Sequence, residues 1–348
     1  MGAFRDIFRQ IRYAGIRTGL EAASLIPRNL QFGAWSGRGV IFTLHHVRPH
    51  VTAPFQPNAL LSITPDFLDS AIRAVLDCGL KPARLEELPD LLQSSDDQRY
   101  FCMTLDDGYR NNAEYAAPIF RRYAVPYTIF ITGGFVERSR AAWWELAEAM
   151  LLRSDEIALD TGGGERVFQI ASPNTKAALF DRIAAYVNEV DEDVAVAGIV
   201  DAAERAGLDP QRLTHELCMD CDELRALADS DDLVSFGAHT VSHCNLKRVD
   251  DDRLEWEVQA SVDAVTDYTG RVPQSFAYPY GWKSAAGSRE AQAVKSAGLK
   301  VGVTTQPGVL RDRDASDCYL LPRVSLNGHF QHPRYVRAMA SGIPFLLT

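Results

Sequence analysis

The chain has 348 residues, 46% apolar and 24% charged, the balance of a globular protein that can bury a large core. That composition excludes disorder and collagen-like order. A net charge of −10 argues against a nucleic-acid partner held through Lys/Arg contacts to phosphate.

Residues 3–20 alternate Phe4, Ile7, Phe8 and Ile11 with Arg5, Arg9, Arg12 and Arg17, so an amphipathic helix is expected ahead of the first strand. It forms an N-terminal extension over residues 1–35 and can dock on the wall of the main domain or lie on an anionic membrane surface. No run of about 18 apolar residues occurs, which argues against a membrane-spanning helix. Six cysteines are too few for a disulfide scaffold and no signal-peptide core precedes a small-residue cleavage site. A cytoplasmic, reducing setting is therefore expected, with peripheral contact at the inner membrane surface left open.

From residue 36 onward strand-like and helix-like segments alternate. Buried strands are predicted at Gly39–Leu44, Tyr100–Leu105, Tyr127–Thr132, Leu233–Ala238, Ser275–Tyr278 and Lys300–Thr304. Helices are predicted at about Thr64–Leu80, with Thr64 as N-cap and Pro65 at the first position, and at Asn112–Tyr123, Asp250–Tyr268 and Arg289–Ala297. This alternation implies a parallel sheet with helices outside, a barrel or a doubly wound sheet. From Trp143 to about His215 the rhythm lapses, and the stretch reads as a mostly helical insertion, with helices near 175–190 and 194–206. Cys218 and Cys221 form a lone C-x-x-C, read as two thiols near a helix start, not as a metal or redox pair.

Two segments can carry chemistry. Thr104-Leu105-Asp106-Asp107-Gly108 ends an apolar strand. Adjacent carboxylates there project in different directions, so one can hold a metal while the other serves as a base; a solvated turn or N-cap is the plainer alternative. His239-Thr240-Val241-Ser242-His243 follows another strand, and histidines at i and i+4 share one face of a helical turn. Two imidazoles and a carboxylate form a facial set suited to zinc or another divalent first-row metal. Both segments sit at C-terminal strand ends, the face that carries active sites in α/β barrels. A third segment, Phe276-Ala277-Tyr278-Pro279-Tyr280-Gly281, is either turn packing or a substrate wall with a free backbone N–H as oxyanion donor. Trp143 and Trp144 open the insertion and can stack on sugar rings or pack as core or lid.

These three segments, in this order, resemble the polysaccharide deacetylase family, the family 4 carbohydrate esterases that include nodulation-type chitooligosaccharide deacetylases. The resemblance runs over roughly residues 38–340 and implies an α/β fold, a distorted (β/α)7-type barrel spanning 36–348 with the insertion at about 143–215. It implies that Asp106 is the general base, that Asp107, His239 and His243 hold one divalent metal, and that the Tyr280 backbone amide stabilises the oxyanion. Zinc is the expected ion, with cobalt, nickel, manganese or iron as alternatives. The family's usual arginine is replaced by Ala277, and Arg323 in Leu320-Leu321-Pro322-Arg323 is the candidate substitute. The general acid has two candidates. Thr43-Leu44-His45-His46-Val47 resembles the first-strand segment of the poly-N-acetylglucosamine deacetylase branch, with Leu44 where Tyr is usual, and favours His45. His329, near the C-terminus, has the wrong spacing for the family's L-x-H motif.

The activity so implied is metal-dependent N-deacetylation of an amino-sugar-containing oligosaccharide or glycolipid. The rivals are deformylation or deacetylation of a lipid-linked sugar, O-acetyl ester hydrolysis, cyclic imide cleavage, and a non-catalytic carbohydrate-binding barrel.

Overall fold

A computed structural model describes residues 2–27, 32–95 and 97–346. Seven parallel strands form the main sheet: β1 (Gly39–Leu44), β2 (Tyr100–Leu105), β3 (Tyr127–Ile131), β4 (Val234–Ala238), β5 (Ser275–Ala277), β6 (Val301–Val303) and β7 (Val324–Ser325). Their order is β6-β5-β4-β3-β2-β1-β7, and a two-residue strand, Lys81–Pro82, pairs with the start of β2 as an eighth. The sheet grows outward from β1 through β6, and β7 returns to the other side of β1. Its two ends meet without a continuous ladder: Leu321, just before β7, bridges Val303 of β6. This is the distorted (β/α) barrel that the family resemblance implies, and one of the two architectures that the strand–helix alternation allows.

Every residue of β1 and of β3 is buried, which explains why these strands read as unbroken apolar runs. Pairing of Leu44 with Leu105, Leu105 with Ile129, and Ile131 with Ala238 sets the strand ends at one level. The residues that follow each strand therefore emerge on one rim.

The helices follow local chemistry. α1 spans Gly2–Ser24, and α2 (Pro65–Leu76) starts with Thr64 Oγ1 accepting from Phe67 N at 3.1 Å and Pro65 at its first position. It stops at Leu76, short of the expected Leu80, in a turn leading to Lys81–Pro82. The predicted 112–123 helix opens as a π-helical turn at Asn112–Ala116 before α3 (Ala117–Tyr123). α1 packs on α8 (Pro333–Ala340), burying Leu20 and Ala23. The side chains of residues 1–12, including Phe4, Ile7, Phe8 and Ile11 and their arginines, lie outside the described residues. No helix among the described residues is long and apolar enough to cross a membrane.

Between β3 and β4 come α4 (Trp143–Arg153), α5 (Pro173–Glu189) and α6 (Glu192–Arg205), with a core of their own around Leu146, Met150, Ile183 and Ile199. This region also holds an antiparallel hairpin, Glu156–Asp160 with Glu165–Gln169, that the helical reading missed. Only Ile157 and Leu159 of its first strand are buried, and a strand of five residues gives a weak period-2 signal. α7 (Asp251–Thr269) follows β4, capped by Asp250 accepting from Arg253 N at 2.8 Å. All six cysteines are free; Cys218 closes one helix and Cys221 opens the next.

Candidate active site

The rim at the C-terminal strand ends gathers the sequence candidates. Asp106 and Asp107 leave β2 in different directions, because Asp107 takes a left-handed conformation (φ 74°) and Gly108 continues it (φ 69°). Asp106 turns toward β7. Arg323, fully buried, grips both its oxygens, Nη1 to Oδ1 and Nη2 to Oδ2 at 2.7 Å each. The same guanidinium donates to Thr304 O at 2.8 Å and Thr104 Oγ1 at 3.1 Å, so its orientation is fixed from two strands. Burial pushes the Asp106 carboxyl up, but Arg323, His239 and His45 together outweigh it and the net direction is down.

Asp107 turns instead toward the two histidines. Its Oδ1 stands 3.4 Å from Nε2 of His239 and 3.4 Å from Nε2 of His243. The three side chains are buried, and their potential ligand atoms lie within 4.8 Å of one another. His239 Nδ1 is 2.6 Å from the Ala277 carbonyl, an acceptor only, so Nδ1 carries the proton and donates. In the neutral ring that leaves the Nε2 lone pair aimed at an anionic carboxylate, and Asp107 Oδ1 has no hydrogen-bond partner of its own. Two facing acceptors in a buried pocket call for a cation between them. Burial is the largest single influence on both groups, raising Asp107 and lowering His239, but the charged and polar partners around each together outweigh it, holding the carboxyl well below its usual range and raising the imidazole. The residues present fit a metal ion, with the carbonyl-anchored His239 in the arrangement typical of a ligating histidine.

The histidine segment is not the helical turn expected from its i, i+4 spacing. It is a loop in which Thr240 (φ 61°) and His243 (φ 56°) are left-handed. Thr240 Oγ1 accepts from His243 N at 2.9 Å, and a residue missed in the sequence organises the rest. The fully buried Glu257 of α7 accepts from Val241 N at 2.8 Å and Ser242 N at 3.0 Å, and from the Ser242 hydroxyl. Arg253 pairs with it. An acid among Leu254, Val258, Val262 and Val265 on the buried stripe of a helix was the available signal.

Tyr280 is left-handed as well (φ 61°), and its amide N–H makes no hydrogen bond among the described residues. A side chain at Gly281 would meet Thr305 N at 2.4 Å, so the turn requires glycine there. The Tyr280 hydroxyl donates to Glu192 of α6 and accepts from Trp143 Nε1 at 3.1 Å. Trp144 donates to Tyr109 OH at 3.0 Å, its ring 4.7 Å from that of His243. Both tryptophans are under a tenth exposed, so they wall the site as packing and offer no open face to a sugar. Among the described residues, four of the six non-glycine residues with positive φ lie here: Asp107, Thr240, His243 and Tyr280. Such strain collects at functional sites.

The two candidate acids part company. His45, at the end of β1, has Nε2 4.0 Å from Asp106 Oδ2 and a side chain 22% exposed, open to the rim. Asn112 of the π turn donates to its carbonyl at 2.7 Å. Burial lowers the His45 imidazole, and with Arg323 and His46 it outweighs the two aspartates that raise it. His329 packs against Tyr13 of α1, ring centroids 4.5 Å apart, and against Phe330, centroids 6.3 Å apart.

The polysaccharide deacetylase family model matches residues 93–226 and 213–302, more than half of the chain. The chain belongs to that family. No curated protein matches the sequence. Among solved structures, a deacetylase of Streptococcus pyogenes, PplD, in complex with acetate, superposes with a TM-score of 0.54 at 17% identity, over 83% of this chain and 92% of that one. IcaB of Ammonifex degensii gives 0.53 at 14% identity, over 88% and 98%. A de-N-acetylase of Aggregatibacter actinomycetemcomitans gives 0.50 at 12%, over 82% and 93%. At such identities these likenesses speak for a shared fold. The matched residues of the polysaccharide deacetylase model contain Asp106, Asp107, His239, His243 and Tyr280; His45 and Arg323 lie outside them and stand on geometry.

Proposed function

We propose that this polysaccharide deacetylase is a metal-dependent hydrolase that removes N-acetyl groups from an amino-sugar-containing oligosaccharide or glycolipid. The observation that carries the reading is the pairing of a buried Asp107–His239–His243 cation cradle with a second carboxylate, Asp106, locked beside it by Arg323.

Asp107, His239 and His243 would hold one divalent ion, zinc by donor type. When bound, such an ion polarises the substrate carbonyl and acidifies water. Asp106 takes the proton from the attacking water. Its bidentate bond to Arg323 sets the carboxylate plane and keeps it ionised, which a base requires. The Tyr280 N–H donates to the oxygen that gains charge as the carbonyl becomes tetrahedral. His45 gives its proton to the departing nitrogen, since an amide anion is a very poor leaving group. Buried Trp143 and Trp144 keep water from the far wall.

We further take residues 36–348 as the catalytic unit, with 1–35 as an extension, acting in the cytoplasm. The reading is tested by metal analysis of the purified protein and acetate release across N-acetylated oligosaccharides, glycolipids and O-acetylated sugars. Release from N-acetyl but not O-acetyl substrates, abolished by chelation and restored by zinc, is expected; exclusive ester cleavage would favour the esterase rival.

A further inference from the structure

The Tyr280–Gly281 turn continues into a second feature. A cleft of about 580 Å³ opens beside it, lined among others by Trp282, Lys283, Gln306, Arg311, Arg313 and Pro322. Trp282 and Lys283 follow β5, and Gln306 follows β6, so the cleft begins on the rim that carries Asp107 and His239. It is tied to the turn: Thr305 N donates to Gly281 O at 3.0 Å and Thr305 Oγ1 to Tyr280 O at 2.6 Å.

Its lining is basic. Three cations, Lys283, Arg311 and Arg313, face one lining carboxylate, Asp314, in a protein of net charge −10. Asp314 is engaged locally, accepting from Arg311 N at 2.7 Å, and reaches the Arg313 side chain only at 3.9 Å. The Lys283 ammonium and the Arg311 guanidinium make no hydrogen bond or ion pair among the described residues. Arginines nearer the metal cradle, Arg323, Arg253 and Arg140, are all paired. Between the cations and the turn stands Trp282, 62% exposed.

We propose that this cleft is a subsite for an anionic saccharide. A phosphate or carboxylate on the substrate sits against Arg311 and Lys283, while a sugar ring lies on the Trp282 indole. This rests on the deacetylase reading and narrows its substrate to glycans that carry a negative group away from the reacting N-acetyl. Arginine offers a planar fork and lysine a point charge, both suited to such anions. In an acidic protein a local basic cleft also orients an anionic substrate as it arrives.

The test is calorimetric titration of the full chain with Asp106→Asn to prevent turnover. The probes are N-acetylglucosamine 1-phosphate, glucuronic acid, neutral N-acetylglucosamine and inorganic phosphate. Either anionic sugar should bind at least tenfold more tightly than the neutral one, and added salt should weaken it. Whichever anionic sugar binds identifies phosphate or carboxylate as the group read. Arg311→Glu and Lys283→Glu, each added to that background, should weaken the anionic sugar about tenfold or more and leave N-acetylglucosamine unchanged. Trp282→Ala should weaken both sugars and spare inorganic phosphate. Equal affinity for neutral and anionic sugars, or charge reversals without effect, would overturn the proposal. Lys283 is exposed, so its reversal remains informative if Arg311→Glu fails to fold. Acetate release from a neutral N-acetylated oligosaccharide by the otherwise unaltered chain is scored separately. Its absence would count against the deacetylase reading, while the binding result would still judge the cleft.

Discussion

Arg323 and Asp106, 217 residues apart in sequence, form a buried two-pronged ion pair with both contacts at 2.7 Å. The arginine reaches the base from the strand that closes the barrel, where Ala277 leaves the family's usual position without a guanidinium. In the proposed mechanism this pair fixes the direction in which Asp106 accepts a proton.

Arg323→Lys keeps the charge and loses the fork. Turnover should fall about 10²-fold, the scale of a misplaced catalytic group, with metal content unchanged. Arg323→Ala leaves a buried carboxylate unpaired and should lower unfolding stability by about 3–5 kcal/mol in denaturant titration. Wild-type turnover in Arg323→Lys would show that the fork is dispensable.

Glu257 lies outside the Asp107–His239–His243 cradle yet holds the loop that presents His243. Glu257→Gln replaces one acceptor oxygen with an NH2 group, which confronts either the Val241 and Ser242 amides or the Arg253 guanidinium, and removes the charge that Arg253 pairs with. Metal affinity, measured by chelator competition, should drop about 10- to 100-fold, as for other groups that orient ligands. Unchanged affinity would limit Glu257 to stabilising the loop.

His45 and leaving-group chemistry are linked. His45→Ala, measured with metal fully loaded, should depress amide hydrolysis strongly and activated-ester hydrolysis weakly, because a good leaving group needs less protonation. Equal losses on both would mean that His45 does something other than protonate the amine. Full activity there combined with inactivity in His329→Ala would move the acid to the C-terminal segment.

A stability effect is expected at Glu148, whose carboxyl burial and the neighbouring Glu145 push up to about 7. The folded state then holds a proton that the unfolded chain releases nearer 4.5. Stability contributed by the neutral form is present below that lower value and lost as pH rises toward 7, by at most about 3 kcal/mol. Thermal unfolding at pH 5 and pH 8 should show the loss in wild type and a smaller one in Glu148→Gln.

What could be seen in the sequence follows from how local each signal is. β1 and β2 match their apolar runs residue for residue, because strands buried on both faces leave no ambiguity of period. Asp106, Asp107, His239 and His243 declared themselves by clustering at strand ends. The geometry joining the histidines did not: spacing suggested a helical turn, whereas left-handed Thr240 and His243 bring the rings together. Glu257 and Glu192 act on the site from helices distant in sequence; the buried stripe of α7 marks Glu257 as an acid in need of partners, but nothing local says which loop it holds. The hairpin at 156–169 was hidden because two strands of five residues give a weak period-2 signal within a helix-rich stretch.

The central claim is the division of labour between adjacent carboxylates, Asp107 for the metal and Asp106 for the proton. Asp106→Asn preserves shape and removes the base. Metal stoichiometry by elemental analysis and acetate release from an N-acetylated oligosaccharide should be measured on the same preparation. The account expects wild-type metal content with turnover reduced about 10²–10⁴-fold. Loss of the metal along with activity, or full activity with the metal in place, would contradict it.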